Sequence, residues 1–171
     1  LSSELKPSTV LRRSLLIGAA LLLAGCQARP LYQDANGETR GALAAIAYSE
    51  ASSRVGLETR NRLIFLTSGG DESKTPEYRV ELTVSGGVEG VLLDDTSDTA
   101  NAGRAVVVGN YTLKRISDDT VLKTGRRTGV ALFDYPRQEF AKLRAARDAE
   151  TRAARELAEI IYADLAMALG R

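Results

Sequence analysis

The chain has 171 residues, with 23 Lys and Arg against 22 Asp and Glu, a formal net charge of +1, one cysteine and no histidine. Charge so nearly balanced excludes the basic excess that wrapping nucleic acid requires. Without histidine, and with a single thiol, Ser-His-Asp and Cys-His nucleophile systems and almost every zinc site are excluded, which leaves a carboxylate pair or a lysine for any catalysis.

The first segment is basic (Lys6, Arg12, Arg13) and is followed by an apolar run from Leu15 to Ala24. That run is about half of the roughly 20 residues needed to span a bilayer. A charged start, a short apolar stretch and small residues before a cut form the order of a secretory signal peptide. The ending Leu23-Ala24-Gly25-Cys26 resembles the bacterial lipobox. In that motif the thiol takes a diacylglycerol, the chain is cut before the cysteine, and the new amine is acylated. The competing readings are an ordinary signal peptide with a chance cysteine, or a buried core helix, which Arg12 and Arg13 oppose. Residues 1–25 are therefore expected to be removed and Cys26 to become a lipid-bearing first residue, not a catalytic thiol. Each buried methylene supplies about 0.8 kcal/mol, so two or more acyl chains make a stable anchor. By resemblance to lipoprotein sorting in diderm bacteria, Gln27 after the cysteine, where an Asp would retain the protein, favours the outer membrane.

The 146 residues after the cut have the size of one domain. The first 25 residues carry a net +2, so the remainder is near −1. Residues 26–41, polar and containing glycine, read as a lipidated tether, and 42–171 as the folded part. "LAAIAYS" (Leu43 to Ser49) reads as a short buried strand. Ser52 or Ser53 caps a helix, with a Glu expected within its first turn. Val55, Thr59, Leu63 and Leu66 lie along one face of that helix, and the Gly-rich "GGDESKTP" ends it.

Three strands follow. Tyr78, Val80, Leu82 and Val84 alternate with Arg79, Glu81 and Thr83, the period of a sheet with one face buried. Tyr111 and Leu113 alternate with Thr112 and Lys114 in the second, and "VLKTGRRTGVALFDY" makes the third. Short links, including a tight one at Asp118 to Thr120, argue for an antiparallel meander. "TSGGDESK" and "GGVEG" lack phosphate-loop and dinucleotide spacing. The loop with Asp94, Asp95 and Asp98 lacks the calcium-loop order, so these stretches read as turns. From about Arg137 to Leu169 runs a long amphipathic helix whose stripe is Leu143, Ala146, Ala149, Ala153, Leu157, Ile160 or Ile161, and Leu165. An alanine-rich stretch without a heptad of large residues opposes a free coiled coil. The fold class is α+β: a four-stranded, mostly antiparallel sheet with two helices packed on one face, in the order strand, helix, three strands, helix.

The lipobox, "RPLY" (Arg29 to Tyr32), "SSRVGLETRNRL" (Ser52 to Leu63), "YRVELTVS" (Tyr78 to Ser85), "GNYTLKRISDDTVLKTGRRTGVALFDY" (Gly109 to Tyr135) and "RDAETRAARELAEIIYADLAMAL" (Arg147 to Leu169) follow one another in a characteristic order. That ordered set resembles the LPS-assembly lipoprotein family, LptE, in its alphaproteobacterial form, over almost the whole expected mature chain. The resemblance implies a non-enzymatic outer-membrane lipoprotein facing the periplasm. Its partners would be an LptD-type outer-membrane β-barrel, which it plugs and helps assemble, and lipopolysaccharide on its way to the outer leaflet. No cofactor is implied beyond the diacylglycerol and N-acyl chain on Cys26, and no metal.

Phosphorylated lipopolysaccharide would be met by Lys or Arg. Lys114, Arg115, Lys123, Arg126 and Arg127 are dense in the last two strands and lie near one another if those strands pair around the Asp118 turn. Arg126 and Arg127 point to opposite faces, so at most one joins a given patch. The plainer account is a solvated sheet face, or contacts with acidic barrel residues. Two other functions compete: a lipoprotein binding module of another envelope transport machine, and a glycan hydrolase using two carboxylates drawn from Glu81, Asp134 and Glu139.

Overall fold

The computed structural model describes residues 37–93, 100–134, 136 and 138–170. Cys26 and the acidic loop with Asp94, Asp95 and Asp98 lie outside them. In chain order the elements are α1 (Glu38–Ala44), β1 (Ile46–Tyr48), α2 (Arg54–Ser68), β2 (Tyr78–Leu93), β3 (Ala100–Arg115), β4 (Val121–Asp134) and α3 (Glu139–Leu169). The sheet order is β1-β2-β3-β4. β1 runs parallel to β2, and β2-β3-β4 form the expected antiparallel meander. The fold is thus α+β with a four-stranded, mostly antiparallel sheet.

The period-two pattern sets the faces. Val80, Val84, Ala105, Val107, Tyr111, Leu113, Ala131 and Phe133 are buried on the inner face against the helices. Their neighbours along each strand form the open face. α3 lays Ala149, Ala153, Ala154, Leu157, Ala158, Ile161 and Leu165 into this core, and α2 adds Val55, Leu63 and Ile64.

Small residues on both sides let α3 lie close to the strands. A Cβ at Gly129 would come 2.1 Å from the Ala153 carbonyl oxygen and 2.8 Å from the Leu157 nitrogen, so the helix backbone rests on that glycine. At Gly125, opposite Tyr111 in the β3–β4 register, a Cβ would meet the Tyr111 hydroxyl at 2.5 Å. The Tyr111 ring lies across the missing side chain.

α2 and α3 run parallel to each other, clasped by three ion pairs in step: Arg54 with Glu150, Glu58 with Arg155 at 2.6 Å and Arg62 with Glu159 at 2.7 Å. Exposed pairs of this kind contribute roughly 0–1 kcal/mol each, so they orient the helices more than they hold them. α2 starts at Ser53, whose Oγ accepts from the Gly56 amide. It stops at Gly69, whose left-handed backbone (φ 77°) closes the last turn without the strain that a Cβ would bring.

Four details differ from the sequence expectations. Residues 38–41, placed at the end of the tether, and Leu43, placed in a strand, belong to α1, and β1 is only Ile46–Tyr48. α1 forms because Thr39 and Leu43, four residues apart, are buried together. It adds a third helix to the two expected. No acidic residue stands in the first turn of α2; Glu58 lies beyond it and faces Arg155 instead. Leu143 is exposed, because α3 begins before α2 does: the first residue of α2, Arg54, meets α3 only at Glu150.

Candidate functional site

The basic residues of β3 and β4 are distributed by strand register between the two faces. Lys123 pairs with Leu113, and Arg127 with Gly109, so both lie on the helix side. Arg126 pairs with Asn110 and lies with Lys114 on the open face. Arg115 closes the end of β3. The five therefore do not make one patch, and the separation of Arg126 from Arg127 is the one expected from alternation.

Three of the five are engaged within the domain. Lys114 Nζ donates to Glu81 Oε1 at 2.8 Å across the open face, and this bond, ahead of all other influences, raises the lysine pKa. Arg115 donates to Asp118 Oδ2 at 3.0 Å. Asp118 also accepts from Thr120, and those bonds, with the Arg115 charge, hold its carboxyl below the usual range. Asp119 beside it takes a left-handed conformation (φ 56°), which aspartate tolerates better than most residues. This turn places Arg115 against an open hollow lined by Pro76, Glu77, Tyr78, Ile116 and Ser117.

Arg127 is the most constrained. Its Nε lies 2.8 Å from Asp164 Oδ2 and its second guanidinium nitrogen 3.0 Å from Oδ1, a bidentate grip. The Tyr111 hydroxyl donates to the same Oδ2 at 2.6 Å. Asp164 is a buried carboxylate in the last third of α3. Burial pushes its pKa up, but the bonds from Arg127 and Tyr111 outweigh that and leave it lowered. Burial, then the Asp164 carboxylate, raises the Tyr111 phenol well above its ordinary value. Lys123 adds a favourable field at Asp164. The Tyr111–Asp164–Arg127 cluster is structural, since it ties α3 to β3 and β4. Sequence reasoning did not find it. Asp164 does break the apolar stripe of α3 next to Leu165, which was the available signal.

Arg126, on the open face, is the one of the five that stands exposed with its guanidinium in no ion pair among the described residues. Beside it the open face is mixed. Lys114, Glu81, Arg104 and Glu89 contribute charge, the last two joined at 2.7 Å, and Val130 and Leu132 are exposed apolar side chains. Phe140 and Leu143, on the first turns of α3, add exposed apolar surface.

The carboxylates considered for hydrolysis lie apart in role. Glu81 is paired with Lys114, Asp134 ends β4 in an exposed position, and Glu139 is exposed in the first turn of α3 near Lys142. No group of His, Cys, Asp or Glu among the described residues could hold a metal ion. Among the same residues, no helix is long and apolar enough to cross a membrane.

The sequence matches no family model, and no curated protein matches it significantly. Solved structures do resemble the fold. One is a candidate lipoprotein from Caulobacter crescentus CB15, 25% identical, with a TM-score of 0.63 over 77% of this chain and 95% of that one. Another is the rare lipoprotein B from Shewanella oneidensis, 12% identical, with a TM-score of 0.54 over 71% of this chain and 92% of that one. At the second identity the likeness is one of fold. Both neighbours are described as bacterial lipoproteins.

Proposed function

We propose that this chain is an outer-membrane lipoprotein, acylated on Cys26, whose periplasmic domain plugs an LptD-type β-barrel, assists its assembly and serves lipopolysaccharide transport to the outer leaflet. The observation that carries this reading is a lipobox cysteine placed ahead of a domain that shares its fold with two bacterial lipoproteins, rare lipoprotein B among them. The ordered sequence resemblance to the LPS-assembly lipoproteins, which includes that lipobox, points the same way.

The surface suits such a plug. A barrel lumen is polar, and the open face and helix exteriors here carry charge of both signs, largely paired. A lipid tether raises the effective concentration of the domain at its barrel, so modest contacts suffice to hold it there. Direct contact with lipopolysaccharide phosphates falls to Arg126, because Lys114, Arg115 and Arg127 already have carboxylate partners. In this reading the protein is not an enzyme, its only covalent additions are acyl chains, and it has no nucleic-acid partner. The runner-up, a lipoprotein binding module of another envelope machine, uses the same anchor and fold.

Affinity purification of the lipidated protein from its own outer membranes in mild detergent separates the two. A stoichiometric LptD-type barrel is the expected companion. A different transport machine with no barrel would replace the proposal by the runner-up.

A further inference from the structure

β2 has sixteen residues and β1 only three, so β1 covers β2 only from Tyr78 to Val80. In an antiparallel ladder, the N–H and C=O of alternate residues point to the same side. On β2 the residues that turn away from β3 are identified by their partners. The Ser49 amide donates to the Val80 carbonyl. Ser49 Oγ accepts from the Leu82 amide and donates to its carbonyl. Ser53 Oγ donates to the Val84 carbonyl. The β2–β3 register continues without a shift to Gly90, so the same alternation directs the N–H and C=O of Gly86, Val88 and Gly90 outward. Among the described residues none closes them.

The other edges are treated differently. On β4, Glu156 accepts from the Val130 amide, and Arg152 donates to the Leu132 carbonyl. On β1, Glu72, held by Arg60 at 2.7 Å, accepts from the Tyr48 amide. Covering an edge with charged side chains prevents further strand pairing. Among the described residues, the Gly86–Gly90 stretch has neither kind of cover.

We infer that the edge of β2 from Gly86 to Gly90 receives an extended strand from a partner protein, which adds to the sheet where β1 has turned away. Main-chain bonds would supply the affinity of such strand addition, and side chains its selectivity. Among the described residues, no atom lies within 4 Å of the would-be Cβ of Gly87, so a large side chain of the incoming strand can fold over the open face there. The neighbouring Glu89 is already neutralised by Arg104, so the slot favours uncharged β-branched or aromatic residues. A second copy fits it poorly. A two-fold axis through Val88 would set Gly86 against Gly90 and Gly87 against Glu89, with little side-chain surface to bury towards the roughly 1,200 Å² of a stable interface. The inference is independent of which envelope machine the protein serves.

The test uses the full chain in detergent and a synthetic peptide alternating Thr with Tyr or Val, flanked by Lys for solubility. Site-resolved amide exchange is expected to show Gly86, Val88 and Gly90 exchanging freely alone and about tenfold or more slowly with peptide. The same peptide N-methylated at alternate residues is expected not to protect them. Val88→Pro removes an outward N–H at an edge, where proline is best tolerated, and is expected to weaken peptide binding by about tenfold with folding retained. The N-methylated arm decides the matter if that variant does not fold. Any of four results overturns the inference: amides already slow without peptide, protection that grows with protein concentration alone, equal binding of the N-methylated peptide, or no peptide binding.

Discussion

The Tyr111 hydroxyl donates to Asp164 Oδ2 at 2.6 Å across 53 residues of sequence, and it does so inside the core. The bond exists because Gly125, opposite Tyr111 on β4, has no side chain, so the ring can cross that strand towards α3. Arg127, two residues on, completes the grip on the carboxylate. Removing the acceptor leaves a buried hydroxyl unpaired, which costs about 1–3 kcal/mol. Asp164→Ala is therefore expected to lower stability by more than Tyr111→Phe, which leaves the Arg127 pair intact. Urea denaturation of both variants measures the difference, and equal effects would remove the cluster from the account of stability.

The same carboxylate predicts an acid response. The Asp164 pKa is lowered in the folded protein. Its stabilising contribution is thus fully present above the unfolded value of about 3.9 and is lost as pH falls through the lower folded value. The stability difference between wild type and Asp164→Asn is expected to be level near neutrality and to shrink below about pH 4. Denaturation midpoints collected from pH 7 to pH 2 test this. A difference that does not change over that range would contradict it.

Gly129 and Gly87 make a matched pair of alanine substitutions. At Gly129 the new Cβ meets helix backbone, which cannot rotate aside. At Gly87 it meets nothing among the described residues. Gly129→Ala is expected to cost about 3 kcal/mol, the upper range for overpacking, and Gly87→Ala to stay within about 0.5 kcal/mol. Chemical denaturation of the two side by side decides whether α3 lies as close to β4 as the structure places it.

Charge reversal separates engaged cations from available ones. Arg126→Glu is expected to weaken binding of lipopolysaccharide to the protein at low salt. Lys114→Glu would remove a cation already bonded to Glu81, and is expected to change that binding less. Lys123→Glu sits on the helix side and is expected to reduce stability through its place near Asp164. Unchanged affinity in all three variants would end the assignment of these residues to lipopolysaccharide.

Cys26→Ser is expected to abolish incorporation of labelled fatty acid and to leave residues 1–25 uncut, as read by the mass of the purified protein. A cleaved, unlipidated product with a normal envelope location would show that the thiol is not the anchor.

How much was legible in the chain follows the range of each interaction. The lipobox, the Ser53 cap, the Gly69 stop and the alternation in β2 and β3 are written in neighbouring residues, because capping, left-handed glycine and pleat depend on backbone within a turn or two. α1 was missed because Glu38–Ala44 is too short to carry a period, and it owes its helix to burial of Thr39 and Leu43. Leu143 was misplaced because a stripe tells which face of a helix is apolar, not where along it a neighbour begins.

The candidate site divides in the same way. By itself the sequence determined the fold class and the opposite orientation of Arg126 and Arg127, since each follows from residue type or from a period of two, and it carries the lipobox-like ending on which the proposed anchor rests. Tertiary structure alone decided that Arg127 belongs to Asp164 and Lys114 to Glu81, that Gly129 is the seat of a helix, and that one edge of β2 is left without a partner among the described residues. Those are matters of register and of packing between segments far apart in the chain. A residue cannot show from its own neighbourhood which distant carboxylate will neutralise it.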